Sequence, residues 1–411
     1  MTESTGIPTV CEVDPFAPIY LIGVAGHPNF GDEVVTASWL RYLATVRPET
    51  DVWLDTPNPG TTSHLFLGLH PRLHTTNAMW RVVHDAGRMD PAEGDAYVDR
   101  VVTELGSPFY DLGLARARGA ASVHLLGGGY LTKLWPEQLR MLRAVLALRE
   151  VSGARVVATG QGLVPGADDP QTREAVAAFD HFSVRDRESA EATGAKLGLD
   201  DAFLGLDAFL GTGDIEASED DVWVNLQSNQ CDQAVFDKAV ENVRALLGRP
   251  EFAGRRIRYV EGIPGIDRPA YSRLSDLIAP EDFLSFLRLW EGGLPVRPGQ
   301  LWVTSRFHFH LLAAAAGAQG TAVVVHDEYY GVKHRSLLDA GTGWSVVSAT
   351  AAGLPAPGAA EDFPSRVAEL SRAKRQEAAA LYPPLPLRMV GPRRVLERSR
   401  QLLFRVGAHR S

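Results

Sequence analysis

Residues 301–335 read LWVTSRFHFHLLAAAAGAQGTAVVVHDEYYGVKHR, and this stretch decides the fold. Residues 301–303 and 322–325 are apolar runs of strand length around a small-residue segment closed by Gly317, which predicts strand, turn, helix and strand, one α/β unit. Thr304 or Ser305 is placed to cap the helix. Arg306 and His308 then fall in its first turn, where unpaired N–H groups and the helix dipole favour an anion. The second strand empties into His326, Asp327, Tyr330, Lys333 and His334, polar residues at the carboxyl end where open parallel sheets bind ligands.

Working outward, the same unit recurs. Residues 19–24 form a strand, followed by the loop 25–33 (AGHPNFGDE) and a helix whose Val34, Val35, Trp39, Leu40 and Leu43 share one face. Strands are predicted at 52–54, 122–126, 155–159, 182–184 and 203–207. The strand at 122–126 ends in Gly127-Gly128-Gly129, where a backbone can pass close to a ligand, and the strand at 182–184 ends in the charged run 185–189. His124 reads as a core histidine. Residues 57–108 read as loop-rich, with His64, His70, His74 and His84 at no metal-ligand spacing. Residues 213–221 are small, acidic and non-periodic, a linker. Beyond it come a strand at 222–226, a helix at 234–247, a strand at 257–260, a helix at 283–289 and then the opening stretch.

The expected fold is therefore α/β: a flexible leader over 1–17, an N-terminal Rossmann-like domain over 18–212, the linker, a C-terminal Rossmann-like domain over 222–350, and C-terminal helices with a basic tail over 351–411. Two doubly wound halves suggest a GT-B-like architecture with the site in the cleft between them. A net charge of -9 over 411 residues lacks the basic face a general nucleic-acid binder needs, which favours small-molecule or sugar chemistry. Cys11 and Cys231 are the only cysteines, giving neither a disulfide framework nor a metal-spaced cluster, and a reducing cytoplasm fits. No run approaches the roughly 18 apolar residues of a membrane span, and the first residues lack a signal-peptide pattern.

The run Ser305-Arg306-Phe307-His308 opening a small-residue helix, with Tyr330 and Lys333 beyond the next strand, resembles the polysaccharide pyruvyltransferase family. Residues 28–33, PNFGDE, match that family's Gly-Asn-x-Gly-Asp-Glu-like turn with Pro28 in place of the first Gly. The triple-glycine turn and the set Ser183, Arg185, Asp186 and Ser189 match as well. Phe307 replaces the usual Leu, and Gly320-Thr321 a frequent Pro.

The resemblance implies a transferase that moves the carboxyvinyl unit of phosphoenolpyruvate onto two hydroxyls of one sugar in a cell-surface polysaccharide or glycolipid precursor, forming a pyruvate ketal and releasing phosphate. His308 would carry protons, a task an imidazole suits near neutral pH, and Asp32 would orient an acceptor hydroxyl or a clamp arginine. Arg306, Arg185, Lys333 and Ser305 would hold the donor. Asn29, Gly31, Gly127, Gly128, Gly129 and Tyr330 are loop and acceptor candidates, and Tyr130, Trp135 and the loop 261–271 are sugar platforms or packing. The partners are phosphoenolpyruvate and a sugar acceptor, free or lipid-linked, with no cofactor and no metal required.

Rival readings stay open. A nucleotide-sugar glycosyltransferase of the same architecture would also place glycines and basic residues in the cleft, and a non-catalytic sugar-binding module would need no aligned base. His308-x-His310 with His326 and Asp327 would make a metal site if extended, but a helix over 306–316 would turn the two histidines roughly 200° apart. The tail 388–411 carries seven arginines against Glu397 alone, with Val395, Leu396, Leu402, Leu403 and Val406 on one helical stripe. It reads either as a helix docking on the acidic body or as an interfacial anchor at the inner face of the membrane.

Overall fold

A computed structural model describes residues 17–166, 168–211 and 215–384. The first strand, β1 (Ile19–Ile22), is an interior strand of a seven-stranded sheet with β2 (Val52–Asp55), β3 (Leu73–Thr76), β4 (Ser122–Leu125), β5 (Arg155–Gln161), β6 (His181–Val184) and β7 (Lys196–Leu197), in the order β3-β2-β1-β4-β5-β6-β7. A second sheet of six holds β8 (Val222–Asn225), β9 (Ile257–Val260), β10 (Phe283–Leu284), β11 (Leu301–Thr304), β12 (Gln319–Val324) and β13 (Ser345–Ser348), in the order β10-β9-β8-β11-β12-β13. The central pairs are parallel, with Tyr20 beside Val123 and Trp302 beside Trp223. Central strands are buried on both faces, as apolar runs between helical layers must be. These are two doubly wound Rossmann-like domains in a GT-B-like arrangement, and each reverses its strand order once, between β1 and β4 and between β8 and β11.

One apolar cluster crosses from domain to domain. Phe30 meets Phe209, Trp290 and Phe309 at ring-centroid distances of 6.4, 6.5 and 5.5 Å, and its backbone N–H donates to Gly262 O at 3.0 Å. After β13 the chain returns to the first domain through the helix Phe363–Leu381, whose end sets Tyr382 against Trp39 and His124. His124 is the core histidine expected, 2.9 Å from Thr159 Oγ1.

Several local expectations are corrected. Residues 203–207 are not a strand: Asp201–Leu204 and Leu206–Phe209 are single 3-10 turns, because Asp200 caps the first by accepting the Ala202 N–H and Gly205 ends it. The loop-rich reading of 57–108 gives way to four ordered pieces, helices Pro59–Leu65, Ala78–Ala86 and Pro91–Glu104 and the strand β3. The predicted helix at 283–289 divides into β10 and the helix Phe286–Gly292. The linker is not wholly solvated, since Asp221 is buried 3.2 Å from Arg258. The leader up to residue 16, residues 213 and 214 and the basic tail 388–411 lie outside the described residues. No described helix is long and apolar enough to cross a membrane.

Candidate functional site

The carboxyl ends of both sheets face each other across a cleft of about 470 Å³. From the first domain come Asn29, Gly31 and Asp32 after β1, Gly129 after β4 and Arg185 after β6. From the second come Gly262 and Ile263 after β9, Arg306 and His308 after β11, and Tyr329, Tyr330 and Lys333 after β12. The two halves of the predicted set, more than a hundred residues apart in sequence, thus share one space.

His308 sits in the first turn of the helix Phe307–Ala315, for which Arg306 is the cap residue. Neither Thr304 nor Ser305 caps that helix: Thr304 Oγ1 accepts the Arg306 N–H at 3.0 Å, while Ser305 Oγ accepts the Gln227 N–H at 2.9 Å and ties β11 to the end of β8. Ser305 is fully buried and does not line the cleft, so its place is structural. The His308 ring packs on Gly31 in the first turn of the first helix, Phe30–Val46: a Cβ at Gly31 would come within 1.9 Å of His308 Nδ1, so only glycine leaves room for it. On its other nitrogen, His308 Nε2 is 3.3 Å from Asp200 Oδ1. Asp200 Oδ2 accepts from Arg185 Nη1 at 2.7 Å, so one carboxylate of the first domain holds a guanidinium and an imidazole. Burial alone would raise the Asp200 pKa, but the attraction of His308 and Arg185 and the hydrogen bonds it accepts outweigh burial and hold it well below the usual carboxylate range.

Asp200 is absent from the sequence-derived set. It stands beside a segment mistaken for a strand, in a turn whose role depends on a contact 108 positions away. Tyr329 was also missed, its neighbour Tyr330 matching the family pattern. Its hydroxyl donates to Gly129 O at 2.7 Å across the cleft, and its ring carries Lys333 Nζ at 3.5 Å from the centroid.

Arg306 Nη2 pairs with buried Asp267 Oδ1 at 2.5 Å, and Arg185 stacks over Phe307 at 4.7 Å. Lys333 makes no ion pair among the described residues. Burial, then Arg185, pushes its pKa well down, while Asp32, Asp186 and Asp200 oppose the shift. Asp32 accepts from Asn29 Nδ2 at 2.6 Å; burial raises its pKa against the pull of His308, Lys333 and Arg185.

Not every candidate reaches the cleft. Gly127 donates its N–H to Asp201 Oδ2 at 2.8 Å and Gly128 packs on Tyr130, so of the three glycines only Gly129 lines it. Tyr130 lines the wall but is buried, with its hydroxyl on Leu126 O, whereas Trp135 is partly exposed there, edge-on to Tyr329. His64, His70, His74 and His84 lie elsewhere. His326 and Asp327 also fall outside the lining, and His334 is buried with its Nδ1 3.1 Å from His310 Nδ1. His310 therefore turns away from His308, the divergence expected of a helix, and the chelate of that rival reading does not form. Among the described residues no three His, Cys, Asp or Glu side chains gather as metal ligands.

No curated protein matches the chain. Solved structures resemble it at low identity. A protein described as a UDP-N-acetylglucosamine 2-epimerase from Listeria monocytogenes is 13% identical, with a TM-score of 0.47 over 89% of this chain and 92% of that one. S. aureus MnaA with UDP is 10% identical, with a TM-score of 0.47 over 89% of each chain. Os79 from O. sativa is 12% identical, with a TM-score of 0.46 over 89% of this chain and 99% of that one. A family model described as polysaccharide pyruvyl transferase matches residues 29–327, from the Asn29 turn to Asp327, three residues past the end of β12. That match covers well over half of the sequence and takes in Asp32, Arg185, Asp200, Arg306 and His308, and so the chain belongs to the polysaccharide pyruvyl transferase family.

Proposed function

We propose that this cleft moves the carboxyvinyl unit of phosphoenolpyruvate onto two hydroxyls of one sugar, giving a pyruvate ketal and inorganic phosphate. The observation that carries the reading is the chain of contacts Arg185, Asp200, His308: an anion clamp and a proton carrier fixed by the same carboxylate, opposite Lys333 and Asp32.

The donor carboxylate and phosphate lie against Arg185, Arg306 and Lys333, where arginine offers paired N–H groups and the bound anion favours the charged form of the lysine against its burial. A proton passes from His308 to the donor methylene, which becomes a methyl group. The first sugar hydroxyl bonds to the adjacent carbon and returns its proton to the imidazole. The carbon–oxygen bond to phosphate then breaks, phosphate leaving with that proton, and the second hydroxyl closes on the same carbon as its own proton goes to Asp32 or water. Asp200 supports the imidazolium at each proton transfer, a general acid–base contribution of about 10²–10⁴-fold. In this reading no cofactor besides the donor takes part, and the acceptor is a sugar, free or lipid-linked, against the Trp135 side of the cleft.

The test is phosphate release from phosphoenolpyruvate with a panel of free and lipid-linked glycosides, with product mass checked for the added pyruvate. Well-folded protein that releases no phosphate with any acceptor would overturn the reading.

A further inference from the structure

Lys374 lies on the returning helix Phe363–Leu381, beyond the last residue that the family model matches, and its side chain is 1% exposed. Its ammonium pairs with Asp201 Oδ1 at 2.5 Å and donates to Glu377 Oε2 at 2.7 Å and Leu199 O at 3.0 Å. Leu199 and Asp201 flank Asp200. The residue that joins Arg185 to His308 is therefore gripped on both sides by one side chain from a helix that does not touch the cleft.

The grip is anchored further. Asp201 Oδ2 accepts from Trp39 Nε1 at 2.7 Å, Gly127 N at 2.8 Å and Thr159 Oγ1 at 2.8 Å, which ties the turn to the first helix and to the ends of β4 and β5. Glu377 is 2.8 Å from His181 Nε2. A buried ammonium is unfavourable unless all its protons are met, and an apolar residue could dock this helix without that difficulty. Phe363, Val367, Ala378 and Leu381 already do so. Docking alone does not call for a charge here.

We propose that Lys374 is a positioning residue for the transfer reaction: it fixes the turn 199–201, and through Asp200 it sets the places of both Arg185 and His308. The inference rests on the reading of His308 as proton carrier.

The test uses the full chain with labelled histidine, His308 being assigned by its loss in His308→Gln. In Lys374→Met the His308 ring signals should move while those of exposed His84 stay, and turnover should fall about tenfold or more, the scale of a misplaced reacting group. Should Lys374→Met fail to fold, Asp201→Asn, which leaves the lysine paired with Glu377, carries the same expectations. Unmoved His308 signals, unchanged turnover in an active parent, or failure of both variants to fold would overturn the inference and leave a purely structural strap. The ring signals need no substrate, so their movement in a protein that never releases phosphate would support Lys374 and refute only the pyruvyl reading.

Discussion

Gly31→Ala should leave the fold intact and remove most of the activity. A Cβ at Gly31 would stand 1.9, 2.6 and 2.8 Å from three atoms of the His308 ring, whereas ordinary contact begins at 3.4 Å. The ring must retreat by about 1.5 Å, and its 3.3 Å contact with Asp200 already sits near the outer limit of a hydrogen bond. The obstacle is a side chain rather than backbone, so the imidazole can swing away at little cost to stability. Residue 31 is also helical, where alanine is favoured over glycine by about 0.5–1 kcal/mol. The expected signature is a Tm equal to or above the parent's with turnover down about a hundredfold, the loss associated with misplacing a reacting group by an ångström. Thermal melting and phosphate release from phosphoenolpyruvate measure the two halves. A Gly31→Ala protein with parental turnover would refute the placement of His308 against the first turn, or its part in the chemistry.

Further outcomes follow from the same geometry. His308→Ala should lower turnover at least about a hundredfold while titration calorimetry finds donor binding largely kept, because a proton carrier acts mainly in the transition state. Arg306→Lys should do the reverse, raising the donor KM about tenfold at nearly constant kcat, since a single ammonium cannot hold Asp267 and an anion together. Glu33 is fully buried, with Oε1 accepting the Gly26 N–H at 2.9 Å and Oε2 without a hydrogen-bond partner among the described residues, and burial pushes its pKa up to about 8. A raised carboxyl stabilises the fold fully below its unfolded value near pH 4.3 and loses that contribution as pH climbs to about 8. Glu33→Gln should therefore flatten the fall in Tm between about pH 5 and 8; an unchanged slope would place the titration elsewhere.

The strands that carry the site were legible because they are interior to their sheets: 301–303 and 19–22 are unbroken apolar runs of strand length, as strands buried on both faces must be. β3 and β13 escaped because sheet-edge strands such as Leu73-His74-Thr75-Thr76 are half-exposed and mix polar with apolar residues. The error at 203–207 has a different cause, since Phe203 and Leu204 are buried as a strand's would be, and burial does not distinguish a strand from a 3-10 turn. Arg306, His308 and Lys333 announced themselves as polar residues at strand ends. Asp200 and Lys374 did not, because an acid in a short turn and a lysine on a long polar helix are ordinary in sequence and become unusual only once the fold buries one between Arg185 and His308 and the other against Asp201.

The proposed reacting set is divided between the two domains. Asp32, Arg185 and Asp200 belong to one domain, and Arg306, His308 and Lys333 to the other. Neither domain transplanted onto a foreign partner would bring a working centre with it, and a change of acid in one half can be answered only by a change of base in the other. Recombination between distant relatives at the linker should accordingly yield folded but inert chimaeras unless the Asp200 turn and the Gly31 seat travel with the His308 that fits them.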